Sequence, residues 1–96
     1  MHVILWRFRP RPEREADFVA AYGEAGPWAE LFRSAAGFVG TELLRGSDGA
    51  YLSIDRWESE EAFRAFQDAH RARYDELDAA CSALTIEEAF LAAVTA

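Results

Sequence analysis

The clearest chemical potential in this chain lies in one stripe of side chains. Phe63, Phe66, His70, Tyr74, Leu77 and Cys81 recur three or four residues apart, which at about 100° per residue puts all six on one helix face. A face of that composition looks toward a core, so His70 and Tyr74 are expected to point inward one turn apart. Desolvation among aromatic rings disfavours the charged form of an imidazole, leaving it able to take a proton from a neighbour. His70 and Tyr74 are therefore the candidate catalytic pair, as proton acceptor and hydrogen-bond partner. The plainer alternative is that a strand carbonyl or Tyr74 satisfies His70 within the core, while Tyr74 buries its ring and wets its hydroxyl.

Aromatic residues make up 14% of the chain, and Trp6, Tyr22, Trp28, Phe32, Trp57 and Phe66 are the candidates to line a flat slot for a ring-shaped ligand. Large side chains filling a small core would account for them equally. Trp28 follows a flexible turn at residues 23–27, where a pocket mouth would be gated. Arg45 and Arg56 sit near strand ends. Arg45 is the candidate to hold a phenolate, and the competing role for either is a rim salt bridge with Glu42, Asp55 or Glu58. His2, near the terminus, is expected to be exposed and without a role.

Much chemistry is excluded. Two histidines and one cysteine, far apart, give no metal-ligand spacing. There is no phosphate-binding glycine loop and no dinucleotide fingerprint. A net charge of −7 argues against nucleic acid and anionic membranes, and no apolar stretch reaches the length of a span. The lone Cys81 cannot form an internal disulfide, and the start MHVILWRFRPRP lacks the layout of a signal peptide. A cytoplasmic protein is expected. The 96 residues suit a single domain, 1–96, long enough to bury a core without metal or disulfides.

The elements that would position these residues are legible in outline. Residues 3–8 (VILWRF) read as a strand apolar on both faces, ended by Pro10 and Pro12, which cannot donate to a ladder. A helix is expected over 13–22, with Phe18, Val19 and Tyr22 at helical spacing and Gly23 as its stop. Pro27 suits the first position of a short helix over 28–35, with Trp28, Leu31, Phe32 and Ala35 inward. Residues 38–45 and 50–57 form a hairpin about the turn at 46–49. Alternation puts Tyr51, Ser53, Asp55 and Trp57 on one face of its second strand and Leu52, Ile54 and Arg56 on the other. Ser59 is a good N-cap, with Glu60 and Glu61 at the positive end of a helix running to about residue 81. Residues 85–88 could form one capped turn before a last strand over 89–94.

The order β-α-β-β-α-β is that of a ferredoxin-like α+β fold with a four-stranded antiparallel sheet. Helices cover one face of such a sheet only. The other face would leave a large apolar patch in water, so a symmetric homodimer pairing two sheets is expected.

Four pieces in order, Pro12 after the first strand, Gly37-Phe38-Val39-Gly40, Leu43-Leu44-Arg45 and above all Trp57-Glu58-Ser59-Glu60-Glu61-Ala62-Phe63, resemble the antibiotic biosynthesis monooxygenase family over nearly the whole chain. The resemblance implies a dimeric α+β barrel that holds ligands between sheet and helices. It implies activities among anthrone oxygenation, quinol oxidation and haem breakdown. Quinol-oxidising members often carry a histidine nine residues after the motif tryptophan, where this chain has Phe66, and a proline-histidine pair near the place of Ala69-His70. Haem-degrading members use an asparagine where this chain has Arg7 and a tryptophan at the position of Phe66. The departures disfavour haem breakdown.

The resulting expectation is a cofactor-independent monooxygenase, or a diverged relative, with molecular oxygen as co-substrate. Its substrate would be a small electron-rich aromatic such as an anthrone, quinol or polyphenol. Once deprotonated, such a ring system can react with oxygen itself, so the protein need supply only a base, an apolar slot and a donor for the developing charge. The alternative is a dimeric module that binds a hydrophobic metabolite without chemistry, and haem binding ranks third.

Overall fold

The computed structural model describes all residues, Met1–Ala96. Strand β1 (His2–Pro10) leads through a 3-10 turn (Pro12–Arg14) into helices α1 (Glu15–Tyr22) and α2 (Pro27–Arg33). The hairpin of β2 (Phe38–Arg45) and β3 (Tyr51–Trp57) follows, then helices α3 (Glu60–Ala69) and α4 (Arg71–Cys81), a second 3-10 turn (Ser82–Leu84) and β4 (Thr85–Thr95). The strands form one sheet in the order β2-β3-β1-β4, every neighbouring pair antiparallel. This is the ferredoxin-like α+β arrangement that the element order predicts. No helix is long and apolar enough to cross a membrane.

Local signals explain most boundaries. Pro12 opens a tighter 3-10 turn, so α1 begins at Glu15 rather than at residue 13. Ser59 caps α3 as expected, its hydroxyl oxygen accepting from the Ala62 N–H at 3.0 Å. Gly37 has φ +90°, and a Cβ there would lie 2.6 Å from the Ala62 Cβ. Only glycine therefore lets the chain enter β2 directly beneath α3.

Three expectations are corrected. The long helix is kinked at His70, whose φ of −119° and ψ of 23° leave the helical region. The backbone bonds across it survive, His70 N–H to Phe66 O at 2.9 Å and Tyr74 N–H to His70 O at 2.8 Å, so the axis bends without the chain separating. Residues 85–88 are not a capped turn. They extend β4, because β1 runs to Pro10 and offers partners in register, Arg9 to Glu87 and Pro10 to Thr85. His2 is only 9% exposed, since β1 starts at His2 and directs its ring under α3, 5.7 Å from that of Phe63.

The core lies between the helices and the sheet. Phe18, Trp57 and Phe66 are fully buried. Trp57 is its hub, with ring centroids of Phe66, Phe38, Phe63 and Phe32 between 5.0 and 5.8 Å away. Leu44 pairs with Leu52, Ile54 with Leu5, and Val3 with Val94, and alternation turns all six to the face without helices. Leu44 and Val94 there are 49% and 43% exposed.

Candidate functional site

A cavity of about 50 Å³ opens between the helical layer and the sheet. Rings from both the sheet and the helices line it. Trp6 and Phe8 come from β1, Tyr22 from α1, Trp28 and Phe32 from α2, and Tyr74 from α4. Trp28 meets Tyr74 edge-on at 5.0 Å, Tyr22 at 5.9 Å and Phe32 at 6.0 Å. Such spacings are those of attractive aromatic pairs, so the rings support one another. A second hollow, a groove of about 280 Å³ running beside α3, shares Trp6 and Tyr74 with the cavity and adds His2, Phe63, Gln67 and Phe90. The cavity alone has room for only a few waters, at roughly 10–15 Å³ for each.

The polar groups sit beside these rings, mostly on the sheet side, where Ser53 of β3 is the direct cross-strand partner of Trp6. Thr41 on β2 and Ser53 and Asp55 on β3 come from the sheet, with Glu88 of β4 and Asp78 of α4 at the solvent side. Strand alternation explains the arrangement. Tyr51, Ser53 and Trp57 are all buried, and Asp55 shares their face of β3. The Thr41 hydroxyl donates to Asp55 Oδ1 at 2.7 Å, and no arginine pairs with Asp55. Burial pushes the Asp55 carboxyl up to about 6, the Thr41 hydrogen bond opposing this in part. Asp55 does not form the rim bridge with Arg45 or Arg56 that its place in sequence suggests; those pair with Glu15 and Glu42.

The two phenols stay protonated more firmly than usual. Burial raises Tyr22, with the charges of Cys81, Glu88 and Asp78 adding to it. Burial likewise raises Tyr74, helped by the carboxylates of Asp78, Glu88 and Asp55. Both are therefore hydrogen-bond donors across the neutral range. The buried Trp57 Nε1–H has no acceptor within the chain, while that of Trp28 lies beside the Tyr22 hydroxyl and the Cys81 thiol without a well-formed hydrogen bond to either.

The structure separates the residues expected to act together. Trp6, Tyr22, Trp28, Phe32 and Tyr74 line the cavity. His70 does not: it sits half-buried at the kink, its ring stacked 5.3 Å from that of Phe66. Trp57 and Phe66 belong to the sealed core and reach neither hollow. Arg45 faces outward, its Nε 3.1 Å from Glu15 Oε2. Arg56 pairs with Glu42 at 2.7 Å, the rim bridge that strand-end arginines favour. No group of three or more His, Cys, Asp or Glu side chains is placed to hold a metal ion.

The fold has counterparts among known proteins. A monooxygenase from ActVA-Orf6 of Streptomyces coelicolor, solved with nanaomycin D, is 26% identical over 99% of this chain and 88% of its own, with a TM-score of 0.72. SnoaB, a cofactor-independent oxygenase from Streptomyces nogalater, is 25% identical over 99% of this chain and 94% of its own, with a TM-score of 0.65. Rv0793 from Mycobacterium tuberculosis, at 19% identity, 99% and 96% coverage and a TM-score of 0.68, shares the fold. No curated protein sequence matches the chain. The profile of the antibiotic biosynthesis monooxygenase family matches residues 1–94, and the chain belongs to that family.

Proposed function

We propose that this protein is a cofactor-independent monooxygenase that oxidises a small, electron-rich aromatic such as an anthrone, quinol or polyphenol between sheet and helices, in the space made when the cavity joins the groove with which it shares Trp6 and Tyr74. The observation that carries this reading is the cavity's mixed chemistry, flat rings from the helices and the sheet around a partly buried carboxylate on the sheet side. In an anthrone the reacting methylene becomes a carbonyl. It loses two hydrogens and gains one oxygen atom of O2, and the other oxygen leaves with those hydrogens as water. No further reductant is needed. Tyr22 and Tyr74, held in their phenol forms, would donate to the negative charge that develops on the ring oxygen. Trp6 and Trp28 would sandwich the ring plane. The exposed apolar face of the sheet supports a homodimer formed through it.

The test is oxygen uptake against a panel of anthrones and quinols. Uptake above the autoxidation rate supports the oxygenase. Because His70 lies off the cavity, His70→Ala is expected to change uptake by less than about threefold, and its loss would move the reaction site. A second reading is a binding module without chemistry, which needs the ring-lined space but no base. Tight binding of 1,8-dihydroxyanthraquinone with no oxygen consumed on the whole panel would establish that reading instead.

A further inference from the structure

We infer that Asp55 is the group that takes the proton from the substrate, and that Thr41 is the positioning residue that aims it. The inference rests on the oxygenase reading above and adds its missing base. Placement argues first. Asp55 is the partly buried carboxylate on the sheet side of the cavity, whereas Asp78 and Glu88 are exposed at its solvent side. Thr41 holds Oδ1 at 2.7 Å, and Oδ2 makes no hydrogen bond within the chain, so one oxygen is anchored and the other has no protein partner.

Elimination argues second. Tyr22 on α1 and Tyr74 on α4 face the same space and hold their protons too firmly to act as bases. His2 borders the neighbouring groove rather than the cavity, and His70 borders neither. α2 contributes Trp28, Ala29 and Phe32, none of which titrates near neutrality. The remaining charged groups facing Asp55 are Asp78 of α4 and Glu88 of β4, both acidic. No cation is present to hold the Asp55 carboxylate permanently ionised, and burial brings its proton affinity close to neutrality, where a general base works best.

The step balances without an added reagent. Asp55 takes a C–H proton from the anthrone methylene, leaving a stabilised carbanion. The carbanion passes one electron to O2, and the resulting radical pair joins to form a C–O bond. Asp55 returns the proton to the peroxide and is again a carboxylate. It then takes the second C–H proton as the O–O bond breaks and the carbonyl forms, and hands that proton to the departing hydroxide, which leaves as water.

The experiment compares wild type, Asp55→Asn and Thr41→Val in oxygen uptake with dithranol, a 1,8-dihydroxyanthrone, from pH 5 to 8. Binding of the unreactive 1,8-dihydroxyanthraquinone is followed alongside by tryptophan fluorescence. Asp55→Asn is expected to lower kcat by about 10²- to 10⁴-fold, the usual worth of a general base, with dye affinity changed less than about threefold. The wild-type kcat/KM should fall on the acid side of about pH 6. That limb should vanish in Asp55→Asn and move to higher pH in Thr41→Val, where the hydrogen bond that favours the ionised form is gone. A merely structural Asp55 would not move the limb. Wild-type turnover that Asp55→Asn retains within about threefold overturns the role of Asp55 and leaves the oxygenase standing. A wild type that consumes no oxygen above autoxidation, with dithranol or with the wider panel, overturns both.

Discussion

Replacing Asp55 by asparagine is expected to stabilise the protein at neutral pH and to leave it nearly unchanged in acid. Burial raises the Asp55 carboxyl from its ordinary 3.8 to about 6. Between those values the folded chain holds a proton that the unfolded chain has released. Stability therefore falls as pH climbs through that window and levels off above it. At ~1.36 kcal/mol for each pH unit, the rise amounts to about 3 kcal/mol as an upper bound. Asparagine keeps an oxygen for the Thr41 hydroxyl but brings an amide N–H₂ that needs its own acceptor, so a net gain of about 1–3 kcal/mol is expected at pH 7. Urea unfolding of both proteins from pH 4 to 8 reads this directly, the difference between them cancelling every group they share. With m near ~1 kcal/mol/M for a chain of this size, the midpoint should move by about 1 M or more at pH 7 and converge near pH 4. A difference that is constant across the range, or a variant less stable at pH 7, would show that the carboxylate is not strained by burial. The electrostatic part of the argument would then fail. A stabilised variant that has lost oxygen uptake would show stability given up for function.

Other perturbations probe other levels. Ser59→Ala removes the cap on α3 and should cost about 1 kcal/mol in urea unfolding; no change would mean the N–H of Ala62 finds water equally well. Gly37→Ala should cost more than about 1–3 kcal/mol, because strain at φ +90° adds to a Cβ placed 2.6 Å from that of Ala62; a melting temperature like that of wild type would contradict this packing. Leu44→Asp, on the sheet face without helices, should turn a dimer into a chain of 10.8 kDa by sedimentation equilibrium. A monomeric wild type would refute the pairing of sheets.

The legible parts of this molecule are those in which one local rule decides. The alternation of Tyr51, Ser53, Asp55 and Trp57 placed four side chains on the correct face of β3, and Ser59 marked the start of α3 to the residue. The same alternation already put a carboxylate among buried neighbours, so Asp55 was readable as a site residue. Its nearness in sequence to Arg56 argues equally for a rim bridge, which the fold gives to Glu42 instead. The fate of His70 was less accessible. No proline or glycine marks the kink, and a regular helical wheel assumes an axis that the fold does not keep. Residues 85–88 carry a good capping pattern, yet pairing with the far end of β1, remote in sequence, claims them for β4. Tertiary context decided both cases.

Trp6 and Tyr74 are walls of the cavity and of the groove at once, and both are only half-buried. A partition made of two side chains opens by rotamer change, without parting the helices from the sheet. Exposed side chains turn on picosecond to nanosecond timescales and packed ones more slowly. A rigid flat guest passing between the two hollows would then be sorted by its edge thickness rather than by its bulk.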